Sequence, residues 1–320
     1  MQKRPWTSTK ESSTYNVSFC VQDFLRHHLV TRILATVSGT LIVLCSWGVA
    51  EPLRIAAWNL EHLNADGSEG CIDRTAADYE LLKQSVRKQE FDVVAFQEVK
   101  DLAAAEKVFS PTEWNLELSK RPQQEPTLEC FDKPGRFRQH IATGFAIRKG
   151  IDYERHNDLK KLGLGHDFHR WGTDISIKSD SILRLLNVHL VPGCWSNTED
   201  DDEAKDTECA NLRTQFEILV EWRDARLDAN ESFAVLGDFN RRLALPKDWG
   251  WTMLNTKDQN LKLLTSAGGS KCHPLFSEFI DHIVVGDLTG ALLVKNSFRE
   301  GPRIADHPDH CAVFADFELQ

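Results

Sequence analysis

The chain has 320 residues, 41% of them hydrophobic, and a formal net charge of −10. That apolar content is enough to bury a core, and nothing in the composition suggests disorder. The acidic balance argues against a protein that coats nucleic acid through a broadly basic surface. It leaves room for an enzyme that grips a few phosphates locally.

In chain order, the first segment differs in kind from the rest. A polar stretch ends with Arg26 and Arg32, residues 33–49 are almost wholly apolar, and Gly48-Val49-Ala50 precedes Glu51. A basic region, an apolar run and small residues at a cleavage point describe a secretory signal peptide. Residues 1–50 are therefore expected to be a leader, removed after Ala50, and the mature protein to be secreted or periplasmic. A membrane anchor is the alternative, because the apolar run is nearly long enough to span a bilayer. The long polar stretch ahead of it points to a true start near Leu29 or Val30.

From Glu51 onward, short apolar runs alternate with helical patterns. Strands are expected over 53–58, 92–96, 141–148, 174–178, 182–189, 233–236, 280–285 and 312–317. Helices are expected over 75–90, with Tyr79, Leu82 and Val86 on one face, and over 211–227, with Leu212, Phe216, Leu219 and Trp222. No short repeat or linker divides 51–320, which reads as one layered α/β domain.

Six cysteines lie beyond the leader: Cys71, Cys130, Cys194, Cys209, Cys272 and Cys311. In an oxidising compartment an even number suggests disulfides, although sequence leaves the pairing open. Cys194 with Cys209, bracketing the acidic run of residues 199–203, is the first choice and Cys71 with Cys130 the second. Cys311 reads as a buried thiol beside the active site. No CxxC pair favours zinc.

Polar residues collect at the strand ends. Asn59 and Glu61 follow the first, Gln97 and Glu98 the second, His189 a third, and Gly237-Asp238-Phe239-Asn240 another. Rigid strand termini are ordinary places for active sites. Phosphodiester hydrolysis needs a divalent ion on hard oxygen ligands and a positioned water, and these residue types supply both.

Six segments carry a resemblance from Leu53 to Phe317. They are Trp58-Asn59-Leu60, Phe96-Gln97-Glu98-Val99, Asn187-Val188-His189, Gly237-Asp238-Phe239-Asn240, Phe279-Ile280-Asp281-His282 and Asp309-His310-Cys311-Ala312-Val313. In order and rough spacing they resemble the motifs of the endonuclease/exonuclease/phosphatase family, the deoxyribonuclease I-like phosphoesterases. The resemblance implies a β-sandwich of two sheets flanked by helices, in four layers α/β/β/α. It implies Glu98 as principal magnesium ligand, with Asn59 and Asp309 at the metal. Asp238 and Asn240 would face the phosphate and the attacking water, His189 a phosphate oxygen, and His310 would be oriented by Asp281. Manganese could replace magnesium, and calcium could add a structural site. The last motif departs from the family pattern at Pro308 and Ala312, and a second pair, Asp306-His307, lies just upstream.

Substrate signals are sparser. Arg241, Arg242 and Arg170 are placed to meet phosphate, and Arg170 and Asp174 also to support His189 from a neighbouring strand. Trp249 and Trp251 could stack on bases, dip into a membrane interface or cover the core rim. The reading is an exported, metal-dependent phosphodiesterase acting as a monomer on DNA or RNA, without stable membrane association. A phospholipid or sugar-phosphate phosphoesterase is the alternative, and a non-catalytic binding protein a third.

Overall fold

The computed structural model describes residues 36–37, 40–41, 51–195, 207–256, 260–266, 268–286, 291–304 and 308–319. The chain divides into two compact units, Met1–Gly48 and Val49–Gln320. Of the first, the described part is an antiparallel pair, β1 (Thr36–Val37) and β2 (Thr40–Leu41). The expected leader otherwise lies outside the described residues, as do the acidic run at 199–203 and the pair Asp306-His307. Among the described residues no helix is long and apolar enough to cross a membrane.

The second unit holds two large sheets. The first runs β15 (Ala291–Leu293), β17 (Val313–Leu319), β3 (Leu53–Leu63), β4 (Val93–Val99), β8 (Ala142–Arg148) and β5 (Trp114–Leu118), with β16 (Arg299–Glu300) beside β17. The second runs β13 (Lys262–Leu263), β14 (Asp281–Val285), β12 (Ser232–Asp238), β11 (Ile182–His189), β10 (Thr173–Lys178) and β9 (Asp152–Arg155). A separate hairpin joins β6 (Glu129–Cys130) to β7 (Lys133–Phe137). Each large sheet has a parallel pair within it, β3 with β4 and β11 with β12.

Alternation along the strands sorts side chains between faces, because successive residues point to opposite sides. Ile55, Ala57, Val93 and Ala95 of one sheet meet Ile175, Leu185, Ala234 and Leu236 of the other in a shared core. Their neighbours Ala56, Trp58, Val94 and Phe96 face outward onto α1 (Ala76–Lys88) and α2 (Leu102–Glu106). On the opposite side Leu186, Val188, Phe233 and Val235 pack beneath α3 (Thr207–Asp228) and α4 (Trp249–Leu254). The result is the expected four-layer α/β/β/α sandwich. Helix α1 starts at a capping box, with Thr75 and Asp78 satisfying each other's backbone amides. The expected helix over 211–227 extends over 207–228.

The sheets are joined near one end by buried amides. Asn187 is fully buried on β11, and its Nδ2 donates across the interface to the carbonyls of Phe96 and Gly144 at 2.8 and 2.7 Å. Its Oδ1 accepts from Gln97 Nε2 on β4 at 2.7 Å. Leucine at this position removes the side-chain donor to two buried carbonyls and one of the two acceptors of Gln97 Nε2, which keeps the Ala95 carbonyl. Asn187→Leu should therefore lower unfolding free energy by at least about 3 kcal/mol in denaturant titration.

Candidate active site

Strand register assembles half of the site. Across the second sheet His189 lies opposite Asp238, and Asp238 opposite Asp281, so three motif residues form one row. This row requires close approach of β11 and β12. A Cβ on Gly237, whose φ is +134°, would fall 2.1 Å from the Val188 carbonyl oxygen, so only glycine fits there. Asp281 Oδ2 meets His310 Nδ1 at 2.6 Å. Ligand atoms of Asp238, Asp281 and His310 lie within 4.8 Å of one another.

The first sheet supplies the other half through irregular strands. Register shifts interrupt β3 between Asn59 and Leu63, and the β4–β8 pairing between Phe96 and Val99. Such bulges re-aim side chains at the cost of ladder bonds. Glu61, His62, Glu98 and Asn240 all adopt left-handed φ, at 44, 49, 60 and 49°. For residues other than glycine this costs on the order of 1 kcal/mol or more each, and it clusters where function constrains the backbone. Arg74 holds the bulged segment by donating to the carbonyls of Leu60, Glu61 and His62.

Asn59 links the two halves. Its Nδ2 lies 3.2 Å from Glu98 Oε1 and 3.0 Å from Asp238 Oδ2. His189 Nε2 stands 3.6 Å from Glu98 and 3.5 Å from Asp238. The Asn240 amide donates to Asp238 Oδ1 at 2.7 Å, and Asn240 Nδ2 donates to the Leu190 carbonyl. Asp309 is half exposed and joins through Glu61, whose Oε2 accepts from the Asp309 amide while Asn59 Oδ1 accepts from the Glu61 amide. His310 Nε2 lies 3.8 Å from Asp309 Oδ1, and the Trp58 indole donates to the His310 carbonyl at 3.2 Å.

The electrostatics follow from this crowding. Burial opposes the charge of Glu98, but His62, His189 and the Asn59 amide outweigh it and draw its pKa to about 2. Burial, then Asp281, pushes Asp238 upward. Burial and the nearby Arg170 hold His189 well below the ordinary histidine range. Burial also opposes protonation of His310, yet Asp281, Asp238 and Asp309 together raise it well above that range. An ionised Glu98 offers a hard oxygen donor to a divalent ion; Asn59 faces Glu98 through Nδ2, its Oδ1 being held by the Glu61 amide. Asp281 Oδ1 is buried with no hydrogen-bond partner.

Three sequence expectations are corrected. Arg241 does not face phosphate: it is 1% exposed, paired with buried Asp248 at 2.8 Å, and stacked over Trp249. Asp174 does not support His189, because it binds Arg184 at 2.6 Å and the Trp222 indole at 3.0 Å. Cys311 is not a free thiol but is bonded to Cys272; Cys71–Cys130 and Cys194–Cys209 also form. Arg242 lies over the Trp195 ring at 5.1 Å. Arg170 is buried and donates to the carbonyls of His189 and Leu190. Trp249 is buried and Trp251 half-buried against the core, so neither is an open stacking platform.

Sequence reading missed His62, whose amide donates to Glu98 Oε2 at 3.0 Å and whose ring lies 3.6 Å from the same oxygen. Its only signal was a histidine three residues after Asn59 at a strand end. Arg74, in a loop, gave no signal.

No protein-family model matches the chain, and no curated protein matches it by sequence. Solved structures do match by shape. An endonuclease/exonuclease/phosphatase from Bacteroides vulgatus superimposes with a TM-score of 0.55 at 17% identity, covering 84% of this chain and 99% of that one. The fold is that of the endonuclease/exonuclease/phosphatase proteins. Truncated Caenorhabditis elegans TDP2 aligns with a TM-score of 0.52 at 16% identity, over 84% of this chain and 98% of that chain. The human Nocturnin catalytic domain, solved with a bound sulfate, aligns with a TM-score of 0.51 at 14% identity, over 84% and 94%.

Two outcomes are expected. Magnesium or manganese should raise the melting temperature of the wild type in a thermal-shift titration, and Glu98→Gln should remove the rise. Arg241→Ala, which strands Asp248 in the core, should cost about 3–5 kcal/mol of stability without touching the Glu98 cluster.

Proposed function

We propose that the chain is a member of the endonuclease/exonuclease/phosphatase family and an exported, divalent-metal-dependent phosphodiesterase that hydrolyses nucleic acid. The observation that carries this reading is the row His189–Asp238–Asp281, closed by His310 and tied through Asn59 to Glu98 from the other sheet. Glu98, Asn59 and Asp309 are the residues that would hold the ion, which supplies Lewis-acid stabilisation of phosphate oxygen.

The protein's own groups divide the remaining work. Asp281 fixes Nδ1 of His310, which leaves Nε2 to hydrogen-bond a phosphate oxygen as negative charge develops. Asp238 is buried and fixed by the Asn240 and Asn59 amides, and so orients the attacking water in line with the leaving group. His189 sits between Glu98 and Asp238 with Nδ1 unpartnered, and contributes a second contact to phosphate. Three disulfides support export, since such bonds persist in oxidising compartments.

The test uses disulfide-bonded protein and supercoiled plasmid. Nicking is expected with magnesium, none with EDTA, and a loss of roughly 100-fold or more in kcat for Glu98→Gln. Asp281→Asn should lower kcat by about 100-fold with little change in KM. If well-folded protein leaves DNA and RNA intact but releases phosphate or phosphocholine from small esters, the nuclease reading fails and the phosphoesterase alternative replaces it.

A further inference from the structure

Beside Glu98 and His189 opens a cleft of about 190 Å³ whose far walls the hydrolytic groups do not use. One wall is the segment that leads through the β6–β7 hairpin, contributing Arg121, Leu128 and Arg138, and the Cys71–Cys130 disulfide ties this segment to the loop after β3. The other is the loop that carries Phe168 and Arg170. The volume falls below the roughly 300–1,000 Å³ of a pocket for a whole small ligand, so the cleft suits one piece of a larger substrate.

Its polar atoms are arranged for an anion. Arg121 is 7% exposed, its terminal nitrogens spent on the Asp167 and Ile141 carbonyls, and its buried Nε has no partner. Nδ1 of His62 and of His189 are likewise buried and unpartnered. Arg138 is exposed at the mouth and has no carboxylate partner among the described residues. Glu125 and Asp167 also line the cleft, so the cations are balanced until an ion sits at Glu98. Phe168 is 52% exposed, with no ring or cation stacked on it among the described residues.

We propose that this cleft binds the nucleotide adjoining the scissile phosphate in a single strand. Arg138 meets its phosphate and Phe168 stacks on its base. The proposal rests on the nuclease reading and adds the strandedness of the substrate. A base paired within a duplex keeps both faces stacked on its neighbours and cannot lie on Phe168, whereas an unpaired base can.

The experiment compares wild type, Arg138→Ala, Phe168→Ala and Phe168→Tyr. Cleavage is measured with magnesium on a labelled single-stranded oligonucleotide, its duplex and bis(p-nitrophenyl) phosphate; binding of the single strand is measured by fluorescence anisotropy with each variant carried in a Glu98→Gln background, which removes the carboxylate charge without an ion. The expected result is a KM for the single strand raised about tenfold by either alanine, with kcat unchanged. Tyrosine should restore it, the duplex should be the poorer substrate, and bis(p-nitrophenyl) phosphate hydrolysis should not move. Unchanged KM in both alanine variants, or an equal loss on the small ester, overturns the cleft while leaving the nuclease reading intact. If nucleic acid is not cut at all, anisotropy still decides. Binding weakened about tenfold by either alanine supports the cleft, and absent or unaltered binding overturns it.

Discussion

A fully buried asparagine holds the two sheets of this protein in register at the end where its functional groups gather. Asn187 satisfies the carbonyls of Phe96 and Gly144, and Gln97 satisfies Asn187. An apolar interface alone tolerates sliding, because hydrophobic contact has no direction. Three directional hydrogen bonds in a dry core do not, since sliding breaks bonds that no water is there to replace. His189 lies two residues beyond Asn187 on β11, and Glu98 directly follows Gln97 on β4. The amide bridge therefore fixes the distance between the two halves of the site before any ligand arrives.

Around that bridge the backbone departs from regular geometry where several of the polar side chains are carried. The bulges in β3 and β4, and the left-handed φ of Glu61, His62, Glu98 and Asn240, turn donors and acceptors inward that a straight strand would have sent to alternate faces. Arg74 offsets part of that cost by donating to three carbonyls of the bulged segment. The sandwich core packs regular strands against one another and supplies the rigidity that makes the irregular segment sustainable.

Much of this was legible in the residues. Strand periodicity placed the principal strands to within a few residues, because buried strands alternate faces over several residues. The candidate site residues stood out as six segments in the order of the family's motifs; taken singly, Asn59, Asp238 and His189 also read as turn, cap or core residues. What escaped depended on distant parts of the chain. Arg241 looks like a phosphate ligand beside Asn240, and only the packing shows its guanidinium buried between Asp248 and Trp249. Asp174 faces α3 and its Trp222, which no local pattern reveals. His62 enters the site by a backbone conformation that propensity does not anticipate. Cys311 found a partner 39 residues away, across a loop whose path the sequence does not specify.

The three disulfides share a location. Cys71–Cys130 secures the segment walling the cleft, Cys194–Cys209 closes the loop that follows His189 and gives its Cys194 carbonyl to Arg241, and Cys272–Cys311 grips the residue after His310. The sandwich core is held by burial and backbone pairing, which a thiol reductant does not attack. The loops that bear or border the reactive groups are held in addition by bonds whose existence depends on the redox potential outside the molecule. The same chain thus has two layers of order, one set by water and one by electrons.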